Sequence, residues 1–345
     1  MFRQIANTMM IFLGGHSLSD AGPPEYLSSA GRILFMGDSI THAGHYIIEL
    51  EAQFRLRQPG QVPEMINLGL PSETCSGLSE PDHPFPRPDV HERLERALEM
   101  TKPDVVVACY GMNDGIYYPF SQDRFAAYQD GVQRLIQKVR AIGAPLILMS
   151  PPPFDPEPLR KKGKLRRLGS DNYAWFAIYE GYDDVLERYA AWLMQPQKNV
   201  EMVIDLHTPV KEYTTQRQAA DPGFSVSPDG VHLNEEGHRV LANTILQAWG
   251  MGEPEPVPPR LLKLVAERQR LLHDAWLSHV GHKRPDVPPG LPLNEALQRA
   301  AEIEKKYSGR VNCSRSQTDR RNKGHAWIVL FRALLASLPR SGLTT

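Results

Sequence analysis

The run "DVVVACYG", from Asp104 to Gly111, constrains the fold of this chain more than any other segment. Its side chains are β-branched or otherwise apolar at successive positions, so both faces of a strand built from it would be apolar. Strands of that kind lie in the buried middle of parallel sheets, whose two faces are covered by helices. The run therefore predicts a parallel sheet inside an α/β fold.

The rest of the chain alternates between strand and helix patterns, as such a sheet requires. Four further short apolar runs predict strands: "RILFMG" (Arg32–Gly37), "EMINLG" (Glu64–Gly69), "APLILMS" (residues 144–150) and "EMVIDLH" (Glu201–His207). Helical patterns follow at His45–Arg57, Val90–Met100, Asp123–Ile142, Asn172–Met194 and Asn234–Trp249. We expect an α/β fold, a three-layer α/β/α sandwich around a mostly parallel five-stranded sheet.

Composition shifts divide the chain into four parts: an N-terminal segment (1–30), a main domain (31–250), a helical extension (251–310) and a tail without an assigned role (311–345). The N-terminal segment is either a weak export signal or disordered, because its apolar patch is shorter than the core of a signal peptide. Both a cytoplasmic and an exported protein stay open. The Pro- and Glu-rich "GMGEPEPVPPR" marks a linker before the extension. The two helices of the extension either pack on the main domain or mediate homo-oligomer formation.

Composition and charge exclude several classes of function. The net charge is −1, and nucleic-acid binding needs a clustered positive surface that this chain lacks. The one basic cluster, "RKKGKLRR" (Arg160–Arg167), is read as a solvated loop in preference to a site that steers anionic substrates. The three cysteines have no metal-binding or disulfide spacing, so neither a metal nor a structural disulfide is expected. No run approaches the ~20 apolar residues of a membrane span.

Two segments with a serine, an aspartate and a histidine follow the predicted strands. Ser39, in "GDSI", stands where a strand passes into a helix, and its own N–H would lie at the helix amino terminus. In "SPDGVHLN", Asp229 and His232 are close enough for the carboxylate to orient the imidazole as a base for a hydroxyl. Taken singly, each segment fits an ordinary turn equally well.

Two further polar segments fall at the same edge of the predicted sheet. Asn113, in "YGMNDG", follows the central strand and offers a neutral amide donor to an anionic intermediate. The small-residue loop "NLGLPSETCSG" (Asn67–Gly77) follows the second strand and offers a backbone N–H. A turn is again the alternative for each one. Four such segments at one sheet edge are more specific than any of them alone, because ligands bind at the carboxyl ends of parallel strands.

In these four segments the chain resembles the SGNH, or GDSL, family of serine hydrolases, over about residues 32–250. The resemblance implies a flavodoxin-like sandwich, and it implies Ser39 as nucleophile, His232 as general base and Asp229 as its orienting acid. It also implies an oxyanion hole formed by the N–H of Ser39, a loop N–H and the side-chain amide of Asn113. No metal or organic cofactor is implied.

The loop departs from the family at one position. Ser72 stands where the family usually has glycine, and the added Cβ bears on the backbone torsions there. We assign the loop donor to Ser72, because its backbone N–H survives the change, and keep Gly69 in reserve.

The substrate is expected to be a short-chain acyl ester, acetyl above all, on a carbohydrate. Aromatic and polar residues around the motifs offer faces for sugar rings and partners for hydroxyl groups. Within these segments the expected substrate-binding residues are Asp38, His42 and Tyr117. The alternatives are a lysophospholipase- or thioesterase-type hydrolase of longer acyl chains and a glycan-binding relative without catalysis.

Overall fold

A computed structural model of the chain describes residues 22–305, and its centre is a five-stranded parallel sheet. The strands are β1 (Arg32–Gly37), β2 (Glu64–Asn67), β3 (Val105–Cys109), β4 (Leu146–Met149) and β7 (Met202–Ile204), in the order β2-β1-β3-β4-β7. Two short strands elsewhere, β5 (Leu165–Arg166) and β6 (Ile178–Tyr179), pair with each other. All five residues of β3 are buried, which confirms the predicted sheet and its most constrained strand.

Helices cover both faces of the sheet. They are α1 (Glu25–Ser28), α2 (Ser39–Ala43), α3 (His45–Arg57), α4 (Leu94–Thr101), α5 (Gln122–Ala141), α6 (Glu157–Arg160), α7 (Tyr182–Leu193), α8 (His207–Ala220), α9 (Glu235–Ala248), α10 (Pro259–Val280) and α11 (293–305). On one face α3 packs against α9, with α10 beside α3 and α8 beside α9. On the other face α4 packs against α5, and α7 joins them through Tyr189, which stacks on Tyr128 at 4.5 Å.

The strand order places a crevice between β1 and β3. The first crossover leads outward from β1 to β2, and the next returns past β1 to β3. With right-handed crossovers, the helices that follow β1 and β3 lie on opposite faces, so the loops after these two strands separate at their carboxyl ends. Ser39 and Asn113 follow those two strands, which puts both at this crevice.

The helical extension packs on the main domain. Helix α10 lies against α3 and the edge strand β2, and the buried apolar residues of its C-terminal half belong to the same core as the sheet. Two of its side chains bond to the outer edge of β2: Gln269 donates to the carbonyl of Met65 (3.1 Å), and a ring nitrogen of His273 lies 2.9 Å from the carbonyl of Asn67. Of the two roles expected for the extension, packing on the main domain is therefore observed for α10. Formation of a homo-oligomer through the extension stays a prediction.

Some predicted elements differ from the structure. The predicted helix over Asn172–Met194 begins only at Tyr182, because the preceding residues pair elsewhere: the N–H of Tyr179 donates to the carbonyl of Tyr117 (3.0 Å). The helix predicted over Val90–Met100 is a 3-10 turn followed by α4. Helix α8 was not predicted, since its buried positions are His207, Val210 and Thr214 rather than a run of aliphatic residues.

The sequence expectations for residues 1–21 and 306–345 lie outside the described residues. Within residues 22–305, none of the helices combines the length and apolarity needed to cross a membrane.

Candidate active site

The backbone between β1 and α2 positions Ser39 as the first residue of a helix. Asp38 is the N-cap, and its carboxylate accepts a hydrogen bond from the N–H of Ile40 (2.9 Å). Gly37 is required at the end of β1, because a Cβ there would lie 2.9 Å from the carbonyl oxygen of Cys109 on β3 and closer still to Thr41. The close packing at Gly37 fixes the direction in which the Ser39 side chain leaves the strand.

Asp229 and His232 approach Ser39 from the loop before α9. One carboxylate oxygen of Asp229 accepts the N–H groups of Val231 (3.0 Å) and His232 (2.7 Å), which folds the loop into a tight turn. The other oxygen lies 2.7 Å from Nδ1 of His232, and Nε2 of the same ring lies 2.9 Å from Oγ of Ser39. The structure thus brings together the three residues predicted as a triad, in the order acid, base and hydroxyl.

The electrostatics of the pair Asp229 and His232 favour His232 as a proton acceptor. Partial burial raises the pKa of Asp229, but hydrogen bonds from the side chain and backbone of His232 outweigh it and bring the pKa to about 2. The hydrogen bond to Asp229 raises the pKa of His232, against the opposing effect of burial. Asp229 therefore stays ionised at neutral pH and stabilises the imidazolium that forms when His232 takes a proton.

The backbone N–H groups of Ser39 and Ser72 lie at the crevice, and neither has a hydrogen-bond acceptor among residues 22–305. Ser72 has φ of 67°, in the left-handed region that favours glycine. Gly69, the reserve donor, is not available, because its N–H already donates to Oδ1 of Asn67 (2.8 Å). Gly69 also packs against α2, where a Cβ would lie 2.2 Å from the backbone nitrogen of His42. The Gly69 N–H is therefore not free to act as the reserve donor, and Ser72 stays the predicted loop donor.

The amide of Asn113 is held in one orientation. Its oxygen accepts hydrogen bonds from Nη1 of Arg87 (3.1 Å) and from the hydroxyl of Tyr117 (2.8 Å), while Nδ2 donates to the carbonyl of Glu73 (3.2 Å). These bonds fix which end of the amide is the oxygen, and the bond to Glu73 uses only one of the two N–H groups of Nδ2, which leaves the other as a candidate donor to an oxyanion.

Four buried charged residues that support this site were not predicted. Arg87 forms a two-point ion pair with Glu80 (2.6 and 2.7 Å), and Arg93 forms another with Glu73 (2.6 and 2.7 Å). Both pairs hold the loops that carry Ser72 and Asn113. No periodicity or motif marks charged residues of this kind, because only the folded chain shows that they are buried.

Asp114 has a similar supporting role behind the site. Its carboxylate accepts the N–H groups of Cys75 (2.9 Å) and Ser76 (2.7 Å) and so anchors the end of the Ser72 loop. Desolvation by burial raises the pKa of Asp114 to about 6 even though these hydrogen bonds oppose it.

The predicted substrate-binding residues have three different locations. Tyr117 lines the crevice, at the floor beside Asn113. Asp38 is 3% exposed and lies beneath Ser39 as a helix cap, so the prediction of substrate contact is wrong for it. His42 lines a different cavity, where its Nδ1 lies 2.8 Å from Nε2 of His273. The prediction fails for His42 because α10, which supplies His273, packs against this side of α2.

The crevice opens into a cavity of about 460 Å³. Its floor holds the triad and Asn113, and its walls carry three aromatic and two basic side chains: Phe85, Trp175, Phe176, Lys164 and Arg284. Trp175 and Phe176 are half exposed at the rim. The arrangement places a hydroxyl, an imidazole and N–H donors, the groups predicted as nucleophile, base and oxyanion donors, under a pocket large enough for a small organic ligand.

One group of side chains in residues 22–305 has the composition of a metal site: Asp183, Glu187 and His207. None of the three lines the crevice. The ammonium group of Lys211 lies 2.8 Å from Asp183 and 3.1 Å from Glu187, so it pairs with both carboxylates and offsets part of their charge. We therefore describe this group as an ion-pair cluster.

Comparisons with known proteins place the sequence among esterases and acylhydrolases. Residues 35–240 match the GDSL-like lipase/acylhydrolase family. No curated protein sequence matches significantly.

Similar solved structures include Axe2, an acetylxylan esterase from Geobacillus stearothermophilus, and the acetyl xylan esterase AlAXEase. Each is 21% identical to this chain with a TM-score of 0.45. The alignment with Axe2 covers 65% of this chain and 96% of Axe2. The alignment with AlAXEase covers 63% of this chain and 98% of AlAXEase. BT4096, a gut microbial diltiazem-metabolizing enzyme, is 19% identical with a TM-score of 0.48. That alignment covers 65% of this chain and 47% of BT4096, so the chain spans about half of that protein's length.

Proposed function

The chain belongs to the GDSL-like lipase/acylhydrolase family, and on that premise we propose that it is a serine esterase that removes short acyl groups, acetyl above all, from a carbohydrate. The observation that carries the proposal is the chain of contacts from Asp229 through His232 to Oγ of Ser39, with distances of 2.7 and 2.9 Å. These contacts lie at the floor of the cavity that Ser72 and Asn113 also line.

In the proposed reaction, Oγ of Ser39 attacks the ester carbonyl carbon while Nε2 of His232 takes the hydroxyl proton. The carbonyl oxygen becomes an anion that accepts hydrogen bonds from the N–H groups of Ser39 and Ser72 and from the amide of Asn113. His232 then gives its proton to the leaving alcohol, and an acyl ester of Ser39 remains. Water, deprotonated by His232, attacks that ester, and the carboxylic acid leaves as Ser39 regains its proton.

The shape of the pocket favours a small acyl group. Near Ser39 the floor is closed by polar side chains, Asn113 and Tyr117, which are 3% and 4% exposed. The aliphatic residues of the lining are few: Leu159, Ile178 and Val231. Aromatic side chains and prolines make much of the remaining wall apolar, so support for acetyl or a similarly short group comes from the polar, closed floor beside Ser39.

The walls of the pocket favour a sugar as the alcohol half of the ester. Trp175 and Phe176 present aromatic faces at the rim, and faces of this kind pack against the apolar side of sugar rings. The hydrolysis of longer acyl chains remains the alternative that the experiment must separate.

The test is the hydrolysis of p-nitrophenyl acetate, butyrate and octanoate by the wild type and by Ser39→Ala, with acetylated xylan as a glycan substrate. Ser29→Ala, at an exposed serine that caps the end of α1 and does not line the crevice, is the matched control. We expect highest activity on the acetate and a loss of at least ~10³-fold in Ser39→Ala alone. A preference for octanoate would move the proposal to long-chain acylhydrolases, and undiminished activity of Ser39→Ala would refute the nucleophile.

A further inference from the structure

The charges that line the cavity are unevenly compensated. Of its four charged residues other than histidine, Asp229 is paired with His232, and Arg87 is paired with Glu80. The other two are Lys164 and Arg284, and no carboxylate of residues 22–305 lies within salt-bridge distance of either. The cavity lining therefore presents two cationic side chains without a carboxylate partner, and its one carboxylate is already paired.

Arg284 is fixed in the wall of the cavity, beside the loop that carries Ser72. Its Nε donates to the carbonyl of Pro71 (2.9 Å), next to Ser72, and its guanidinium lies 5.0 Å from the centre of the Phe85 ring. Partial burial lowers the pKa of Arg284, and the charge of Asp286 opposes that effect. The guanidinium has thus lost part of its water in the folded chain, so an anion that binds it gains more than at an open surface.

Lys164 faces the cavity from the basic loop between α6 and β5. The N–H of Lys164 donates to the carbonyl of Leu159 at the end of α6 (3.1 Å), and Nζ of Lys162 donates to the carbonyl of Pro228 (3.4 Å), which ties the loop to the segment that carries Asp229. The exposed side chain of Lys161 adds positive charge to the same loop, and the exposed Arg167 follows β5 directly. The sequence favoured a solvated loop here, but the structure places one of its lysines in the lining of the cavity that contains Ser39.

We propose that the alcohol half of the substrate carries an anionic group, a sugar carboxylate, that binds between Arg284 and Lys164. The proposal rests on the esterase function given above and adds the class of sugar: an acylated sugar acid. A guanidinium presents paired N–H groups that match the two oxygens of a carboxylate, and a lysine adds a second charge. The aromatic residues at the rim then contact the ring that bears the carboxylate.

The two cations come from segments that surround the sheet rather than from its motifs. Arg284 follows α10, beyond the region that matches the family, and Lys164 lies within that region, in the loop between α6 and β5. The proposed anion site is therefore a specificity element of this chain.

The test compares two acetylated sugars that differ only in the anion: a methyl O-acetyl glucuronoside and the methyl glucoside acetylated at the same position. The readout is the ratio of their kcat/KM values in the wild type, Arg284→Gln, Lys164→Gln and the double variant. Arg260→Gln and Lys263→Gln, at exposed basic residues of α10, are the matched controls. Because both sugars use the same oxyanion donors, any change in those donors cancels in the ratio.

We expect the wild type to prefer the glucuronoside by at least about tenfold. Each of the two cleft variants, Arg284→Gln and Lys164→Gln, should lower that preference by about tenfold or abolish it, and the control variants should keep it. The preference should also fall as salt rises from about 50 mM to about 500 mM, because ions screen the attraction. A larger preference for the 6-sulfate of the glucoside would support the same two cations with a sulfated sugar as the source of the anion.

A wild-type ratio near one, or a preference that both cleft variants retain, would overturn the proposal. Hydrolysis of p-nitrophenyl acetate separates this failure from that of the proposed function. Activity on that ester with a ratio near one refutes only the anion site, whereas no activity on that ester or on either sugar refutes the esterase proposal itself.

Discussion

Replacement of Asp38 by asparagine should stabilise the protein, and the gain should grow with pH. Asp38 lies under Ser39 and is 3% exposed. Desolvation by burial raises its pKa from the ordinary value of 3.8 to about 7, although the bond from Ile40 and the charge of His232 oppose it. Asparagine keeps an oxygen that can accept the Ile40 N–H, so the helix cap survives while the buried charge is removed.

The magnitude and the sign follow from the proton affinities of the two states. The folded chain holds the proton of Asp38 more tightly than the unfolded chain, so the unfolded state binds fewer protons between about pH 4 and about pH 7. The stability of the wild type therefore falls as pH rises through this window and then levels off. A tenfold change in affinity is worth about 1.4 kcal/mol, which gives a penalty of about 2 kcal/mol near pH 5 and about 4 kcal/mol near pH 9.

Urea unfolding of the wild type and Asp38→Asn between about pH 5 and about pH 9 measures this difference. We expect the free energy of unfolding of the variant, relative to the wild type, to increase by about 2–3 kcal/mol across the range. Asp171→Asn removes a carboxylate at an exposed position, and subtraction of its pH profile corrects for net charge. A difference that stays flat, or that shrinks as pH rises, would show that the buried carboxyl is not destabilising as argued.

Three further predictions concern the site. Asp229→Asn should lower kcat by about 10²–10⁴-fold. It should also move the acidic limb of the pH–rate profile to lower pH, because the hydrogen bond that raises the pKa of His232 is weakened. An acidic limb that does not move would contradict this prediction. Arg87→Met should destabilise the fold by about 3–5 kcal/mol in chemical denaturation, because it leaves Glu80 buried and unpaired, and a second change, Glu80→Leu, should restore most of the loss. Ser72→Gly should leave the unfolding free energy within about 0.5 kcal/mol of the wild type, since relief of the positive φ offsets the greater freedom of the unfolded chain; a loss above about 1 kcal/mol would argue against strain there.

The parallel sheet and the approach of Ser39, His232 and Asp229 to one another were predictable because local sequence patterns encode them. A run that is apolar on both faces specifies a buried parallel strand, as the five buried residues of β3 show. The turn before α9 forms from contacts within four residues, so the spacing of Asp229 and His232 sufficed to predict their approach. The catalytic roles of these residues stay predictions until they are measured.

What the sequence could not reveal depends on contacts between distant segments. His42 was expected in the crevice, but its partner His273 stands 231 positions later in the chain. Arg87 lies in a Pro-rich loop, and its bond to Asn113 spans 26 positions without any periodic pattern. The residues before α7 carry a helical pattern, yet backbone bonds to the loops around Tyr117 and Arg166 hold them extended. In each case tertiary packing outweighs a local signal.

The cover that α10 provides for strand β2 also has a consequence for how the chain folds during synthesis. The bond from Gln269 to the carbonyl of Met65 joins residues 204 positions apart. At about 5–20 residues per second, a ribosome needs about 10–40 s to make that stretch, and the outer edge of β2 stays open meanwhile. An open strand edge can pair with another chain, so the nascent protein passes through a period of exposure to aggregation that ends when α10 emerges and docks.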